Sequence, residues 1–257
     1  MARTLPRSVI NDYTRGINEL SEGMRLQLAA KVEMVDFSDI ATARSQVLEL
    51  MRIYCTGATD AAAVLAARFY DLAREYLLGA TDYTAIVMSG REDLPTDIAV
   101  NAILKQSSTP EQIITGLIGR LDFEVKRAAG DCIFENGRRD PRKPKYARVP
   151  SGAETCPFCL MLASRGFVYT TKLAAGDLNH YHANCDCRIV PSWGKGSVED
   201  YEPTEYYDKW QDAINTQAKE RAEKNGTTED AELKKINEQY RHAANKAKGR
   251  RALDQTN

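Results

Sequence analysis

The sequence predicts an α+β protein that is mostly α, with an N-terminal helical bundle, a small α+β module and charged C-terminal helices. Three observations predict this fold class. Apolar residues recur at three- and four-residue steps through the first half, as in helices that bury one face. Short β-like runs follow, and helical spacing then returns in polar, charged residues. The predicted divisions are 1–137 for the helical domain, 138–150 for a basic linker, 151–193 for the module and 194–257 for the charged helical tail.

Composition and charge exclude several classes of protein. The chain has 257 residues, is 43% hydrophobic and 28% charged, and carries a formal net charge of −1. These are the values of an ordinary globular protein, and they give no whole-molecule attraction for nucleic acid or membrane. No apolar run approaches the roughly 20 residues of a membrane span, and no signal peptide is recognisable. We therefore expect no membrane partner, and synthesis in a cytosol where disulfides rarely persist.

Within the first half, the apolar series predict separate helices. A first helix carries Ile10, Tyr13 and Ile17 on one face. A second series ends near Gly57, and a third helix is expected over residues 61–78, stopped by a C-terminal glycine. The buried stripe predicted for this third helix is Val64, Leu65, Phe69, Leu72 and Tyr76.

The clearest helix start in the chain lies at Thr109. Its side chain can cap the helix, Pro110 suits the first helical position, and Gln112 completes a capping box. The apolar series that follows predicts a helix to about Phe134.

Four of the six cysteines fall within 32 residues and are accompanied by histidine. A C-x-x-C turn brings two sulfurs to one ion, and the H-x-x-C-x-C sequence that follows offers further donors. Zinc takes four tetrahedral ligands, and thiolate and imidazole both suit it. The sequence therefore predicts a structural zinc site that staples the module. Its candidate ligands are Cys156, Cys159, His182, Cys185 and Cys187.

Alternatives to this assignment remain open. The preferred four ligands are the first four of that set, with Cys187 as the main competitor for a place. A redox or disulfide pair, and unliganded buried cysteines, are two other interpretations. A structural site is favoured over a catalytic one, because cysteine-rich sites with all positions filled are more often structural. Neither histidine of the cluster is followed by glutamate at the H-x-E spacing that a zinc deaminase needs. The alternative function is a metal-dependent nucleic-acid enzyme, nuclease-like, with His180 or His182 as its base.

A basic stretch precedes the module and is interrupted by prolines. Because proline lacks the backbone donor and fixes φ, the stretch is expected to be a linker or surface loop, with Asp140 as its only acid and Arg148 as its last cation. It is either solvated or in contact with phosphate or an acidic protein face. The residues proposed for such a nucleic-acid or partner contact are Arg138, Arg139, Arg142, Lys143 and Lys145.

The module resembles the C-terminal domain of the Mu F-like minor head proteins of tailed phages, in particular the versions from phages of actinobacteria. The resemblance rests on residues 149–159, with their C-P-F-C start, and on residues 182–191, with the H-x-x-C-x-C ending before apolar residues and proline. It covers roughly residues 145–193. Asp186 departs from the pattern, because the family often has a basic residue between the two cysteines.

This resemblance implies a minor structural protein of the phage head. Such proteins enter the head in few copies, associate with the portal and the capsid interior, and aid head assembly or genome delivery. The implied partners are portal and major capsid or scaffolding proteins, with contact to packaged DNA. The implied location is the virion, with the host cytoplasm as the place of assembly, and we expect no enzymatic activity.

Overall fold

The computed structural model describes residues 3–79, 82–88, 96–152, 155–170 and 187–240. This part of the chain is mostly helical with short strands, which confirms the predicted fold class. The helices are α1 (Arg7–Val32), α2 (Ile40–Leu78), α3 (Thr96–Gln106), α4 (Pro110–Arg139), α5 (Pro157–Ala163) and α6 (Pro203–Asn225), with a further helical stretch over 229–240. The strands are β1 (Thr4–Leu5), β2 (Lys145–Pro150), β3 (Cys187–Ser192) and β4 (Ser197–Val198).

The prediction of two helices in place of α2 is wrong. Asp39 caps the single helix by accepting hydrogen bonds from the amides of Ala41 and Thr42, and the helix runs through Gly57 without a break. A lone glycine costs a helix only about 1 kcal/mol, which packing against neighbouring helices easily offsets. Gly79 ends the helix in the left-handed conformation with φ of 62°, as predicted.

The buried face of α2 also differs from its predicted stripe. Val64, Leu72 and Tyr76 are each more than 40% exposed, whereas Phe69 is buried. Small residues replace them at the contact with α1 and α4, which lets the helix axes approach closely and leaves the bulky side chains at the margins. The alanines buried there are Ala58, Ala62, Ala63, Ala66, Ala67 and Ala73.

The Thr109 cap and the position of Pro110 in α4 are confirmed, but Gln112 returns its bond to the residue before the cap instead of to Thr109 itself. Thr109 Oγ1 accepts from the Gln112 amide at 3.3 Å, and Gln112 Oε1 accepts from the Ser108 amide at 2.7 Å. The helix continues past the predicted end at Phe134 to Arg139, and Phe134, Asn136 and Gly137 in this part are buried, with Phe134 and Gly137 against Tyr146 of β2. Gly137 lies under the Tyr146 hydroxyl at this crossing.

Two small sheets tie the segments after α4 onto the helices. β2 and β3 pair antiparallel, with Lys145 opposite Ser192 and Pro150 opposite Cys187. β1 and β4 pair in parallel, which joins the beginning of α1 to the residues after β3. One hydrophobic core runs through α1, α2, α4, β2 and β3, so the small sheets and the helices share a single body.

We call α6 and the helical residues 229–240 the C-terminal arm. Its inner face has a small cluster of its own, formed by Ile214, Ala218 and Ile236. The arm touches the body mainly at α5, where Tyr240 stacks on Phe158 with ring centroids 6.3 Å apart. Among the helices in the described ranges, none is both long and apolar enough to cross a membrane.

Candidate functional site

The first half of the cysteine cluster is built by the short helix α5. Cys156 is its N-cap residue and Pro157 stands at the first helical position. The Cys156 sulfur accepts a hydrogen bond from the Cys159 amide at 3.4 Å, so the C-x-x-C turn is closed by its own backbone. Cys156 is half-buried, and Cys159 is only 1% exposed.

The second half is built by β3, whose pairing with β2 fixes its position. Cys187 is the first residue of β3, lies opposite Pro150 and is fully buried. Its sulfur lies 3.0 Å from that of Cys159. This separation is about 1 Å longer than a disulfide bond, so the two sulfurs are in contact without being covalently linked.

A buried arginine borders the thiol pair. Arg148, on β2, is fully buried, and its Nη2 atom lies 3.8 Å from the Cys159 sulfur. Nearby, Tyr169 donates to the Leu162 carbonyl at 2.9 Å, and burial raises the pKa of this phenol to about 12, against the opposing effect of Arg165 and Arg148. The phenol therefore stays neutral and the guanidinium supplies the positive charge beside the sulfurs.

Arg148 also corrects a prediction. The sequence predicts that Arg148 is the last cation of an exposed basic linker. Residues 145–150 instead form β2, in which every residue after Lys145 is buried. The short β-like run from Tyr146 to Val149 is the signal that could have separated Arg148 from the exposed cations before it.

The structure brings together only part of the predicted ligand set. Cys156, Cys159 and Cys187 belong to the described residues, whereas His182 and Cys185 lie outside them, as does His180. In the ranges that the structure covers, no three histidine, cysteine, aspartate or glutamate side chains are arranged to hold a metal ion. The centre of the observed site is the contact between Cys159 and Cys187. In the sequence-based prediction, Cys187 is only an alternative for one of the four ligand positions.

The predicted basic residues lie on the surface at the end of α4, in the turn that follows and at the first position of β2. Arg138 pairs with Glu135 at 2.9 Å, and Arg142 pairs with Asp82 at 3.0 Å. The other three cations, whose side chains also point outward, are Arg139, Lys143 and Lys145. We call the five together the basic turn.

An ion pair beneath the basic turn was not recognised in the sequence. Asp140 is fully buried and accepts hydrogen bonds from Arg74 at 2.8 Å and from Tyr70 at 2.9 Å. Arg74, itself 1% exposed, also reaches Asp82 at 2.6 Å. The sequence predicts that Asp140 balances surface cations. In the structure, Asp140 instead holds the end of α4 against α2.

Comparison with known proteins gives a family for this arrangement of helices and small sheets. The VG15 protein family matches residues 4–213, which is most of the chain and includes α1 through β4. The chain belongs to the VG15 protein family. No solved structure matches it.

The curated relatives of this VG15 chain are phage proteins. It is 30% identical over 120 residues to the Gene 15 protein of Mycobacterium phage D29, a match covering 34% of this chain and 43% of the relative. It is 29% identical over 127 residues to the Gene 15 protein of Mycobacterium phage L5, with the same two shares. The chain thus spans about two fifths of the length of these relatives. The predicted membership of a phage protein family is confirmed at this level.

Proposed function

We propose that this VG15 chain is a minor structural protein of a tailed-phage head, associated with the portal and the capsid interior, and that it aids head assembly or genome delivery without catalysing a reaction. The observation that carries the proposal is the family match together with its mycobacteriophage relatives. The resemblance of residues 145–193 to the Mu F-like minor head proteins supplies the finer role. Its partners would be portal and major capsid or scaffolding proteins.

Purified particles of a phage that carries this gene provide the test. Peptides of the chain should be present in mature heads by mass spectrometry, in far fewer copies than the major capsid protein. They should remain in heads from which tails have been removed. Presence in the infected-cell lysate combined with absence from purified heads would contradict a structural role.

The same proposal includes a structural zinc ion at the cysteine cluster. Two donors already meet at the Cys159–Cys187 contact, and Cys156 stands one helical turn from Cys159. Tetrahedral zinc with bonds of about 2.3 Å holds two sulfurs about 3.8 Å apart, so the pair needs to open by just under 1 Å. His182 and Cys185 are the candidates for the remaining coordination.

The charge around the cluster also favours metal-bound thiolates. A zinc ion with several thiolate ligands is a net anionic group, and burying it without a counter-charge is costly. Arg148 supplies such a counter-charge, because its Nη2 atom lies 3.8 Å from the Cys159 sulfur.

Elemental analysis of the full-length protein, purified under reducing conditions from zinc-supplemented cells, tests the metal. We expect one zinc ion per chain, lost in Cys159→Ser and retained in Cys55→Ala, a matched control because Cys55 is equally buried but lies in α2. Chelation of the wild-type protein should release the same ion and loosen α5 and β3 while most helical signal survives. Metal-free protein with intact helices would exclude the site.

The basic turn is proposed as a contact with packaged DNA. Two of its five cations are paired with carboxylates of this chain, so the proposed contact set is Arg139, Lys143 and Lys145. Lys143 Nζ donates to the Arg138 carbonyl at 2.6 Å, a neutral partner that leaves its positive charge uncompensated. Binding of duplex DNA should weaken with rising salt, and replacing these three by glutamine should flatten that dependence, since each phosphate contact releases counterions. The control replaces three lysines of α6, Lys209, Lys219 and Lys224, and equal losses from both variants would contradict a localised contact.

A further inference from the structure

We propose that Cys159 and Cys187 form a reversible disulfide when no metal is bound, which makes them an oxidation site that joins α5 covalently to β3. The two sulfurs are 3.0 Å apart, whereas a disulfide holds them about 2.0 Å apart, so closing the bond requires a movement of about 1 Å. Cys159 is 1% exposed and Cys187 is fully buried, so neither has to leave the core to reach its partner. The inference uses cysteines of the proposed zinc site but does not require zinc to bind there.

The elements around the pair restrict which disulfide forms. Cys159 lies in the middle of α5, and Cys187 is fixed by the pairing of β3 with β2. Cys55 and Cys132 are buried in α2 and α4, where Cys132 contacts the Ala63 carbonyl at 3.4 Å. Exchange therefore favours the Cys159–Cys187 pairing over any pairing with Cys55 or Cys132.

The oxidant that balances the reaction is a low-molecular-weight disulfide such as oxidised glutathione. One protein thiol attacks it, which forms a mixed disulfide and releases the first small thiol. The second protein sulfur then attacks the mixed disulfide, which forms the Cys159–Cys187 bond and releases the second small thiol. Two hydrogens leave the protein in total, and the small disulfide is reduced by the same two electrons.

Burial determines how this exchange proceeds. An adduct of glutathione on either sulfur has no room in a core where both side chains are at most 1% exposed, so it is displaced by the neighbouring thiol. The first attack requires local opening, because the reagent has to reach a buried sulfur. The reaction should therefore be slow, specific and accelerated by concentrations of urea that do not unfold the body.

A particle that leaves the cell passes from a reducing to an oxidising environment. We expect the two cysteines to be reduced, with or without metal, inside the cell. We expect the disulfide to form in the oxidising environment outside it. This step alone rests on the proposed virion location, because only a released protein meets the change.

The test uses the full-length protein, stripped of metal by a chelator and equilibrated with mixtures of reduced and oxidised glutathione. After alkylation, peptide mass spectrometry should find Cys159 linked to Cys187 at a lower proportion of oxidised glutathione than any other cysteine pair. Cys55→Ala should leave this link unchanged, and Cys187→Ser should abolish it. If Cys159 and Cys187 are alkylated while other cysteines are oxidised, or if either ends as a stable glutathione adduct, the proposal is wrong.

A parallel sample loaded with zinc before oxidation separates the two proposals. Zinc bound by these cysteines should slow the linkage at least tenfold. A link that forms equally fast with zinc present supports the disulfide and contradicts the zinc site. Zinc binding with no link after metal removal supports the zinc site and contradicts the disulfide.

Discussion

At the scale of single residues, Arg74 and Asp140 form a buried ion pair between α2 and the end of α4. Both side chains are at most 1% exposed, and Tyr70 completes the hydrogen bonding of the carboxylate. Such a pair adds little net stability compared with an apolar pair of the same size, but removing one partner leaves a buried charge uncompensated. Its value lies in fixing the end of α4 against α2.

Replacing Asp140 with alanine should therefore lower the free energy of unfolding by about 3 kcal/mol. The loss falls at the lower end of what buried pairs show, because Arg74 keeps its contact with the half-exposed Asp82. Urea unfolding followed by circular dichroism measures this change in the free energy of unfolding. Asp97→Ala, which removes an exposed pair with Arg52, is the control and should change stability by less than about 0.5 kcal/mol.

The same carboxyl group makes stability depend on pH. Burial alone raises the pKa of Asp140, but hydrogen bonds from Arg74, the Arg142 amide and Tyr70 outweigh burial and hold the pKa below its ordinary value. A lowered pKa in the folded state contributes stability above the unfolded value of about 3.9 and loses it as pH falls through the folded value. The wild-type protein should therefore lose more stability below pH 4 than Asp140→Asn does in parallel denaturant titrations. Parallel curves for the two proteins would show that another carboxyl group is responsible.

At the scale of elements, the two long helices α2 and α4 use glycine in opposite ways. Gly57 lies in the exposed middle of α2, and a Cβ atom there would meet nothing within 4 Å. Gly137 lies in the last turns of α4, and a Cβ atom there would clash with the Tyr146 hydroxyl oxygen. The first glycine only weakens its helix, whereas the second allows β2 to pack against α4.

The pair Gly57→Ala and Gly137→Ala tests this difference directly. Gly57→Ala should raise the free energy of unfolding by roughly 0.5–1 kcal/mol, because alanine loses less backbone entropy in a helix. Gly137→Ala should lower it by about 1–3 kcal/mol, because Tyr146 is buried and has to move. Thermal melts of both variants beside the wild type provide the comparison, and a stabilised Gly137→Ala would contradict the close packing.

At the scale of the whole molecule, the body and the C-terminal arm have separate hydrophobic clusters. Ile133 in α4 and Ile214 in α6 are both fully buried, the first in the core of the body and the second in the arm. The arm cluster contains three buried residues, so it supplies much less apolar burial than the body. We infer that the arm opens at a lower free energy than the body does.

Truncating these two isoleucines to alanine should therefore have unlike effects. Ile133→Ala should destabilise the body by about 2–5 kcal/mol, as buried aliphatic truncations do. Ile214→Ala should increase amide hydrogen exchange in α6 and leave exchange in α2 and α4 unchanged. Hydrogen exchange read by mass spectrometry distinguishes the two results, and loss of protection in α4 on Ile214→Ala would show that body and arm unfold together.

The sequence predicts some of these features well because their causes are local. The Thr109 cap, the left-handed Gly79 and the helical face through Ile17 each depend on residues within one or two turns. The continuity of α2 through Gly57 depends instead on packing against distant helices. The burial of Arg148 depends on strand pairing across 37 or more residues, from Pro150 to Cys187 and beyond, which composition and spacing do not reveal.

The candidate site divides in the same way. The C-x-x-C turn and its companion cysteines are legible in the sequence, because their spacing is short. The sequence does not show that Cys159 and Cys187 are the pair in contact, because that contact follows from the strand register that sets Cys187 opposite Pro150. The zinc ion itself stays a prediction.

The pairing of β1 with β4 bears on how the chain is made. Leu5 leaves the ribosome well before its strand partner Val198, which is synthesised almost two hundred residues later. At about 5–20 residues per second, the first strand waits roughly 10–40 s for its partner. During that interval α1 and α2 can form and pack, whereas the parallel pair that closes the body cannot. Closure of the body is thus a late event in biosynthesis, and a ribosome that stalls before β4 leaves Leu5 without its strand partner.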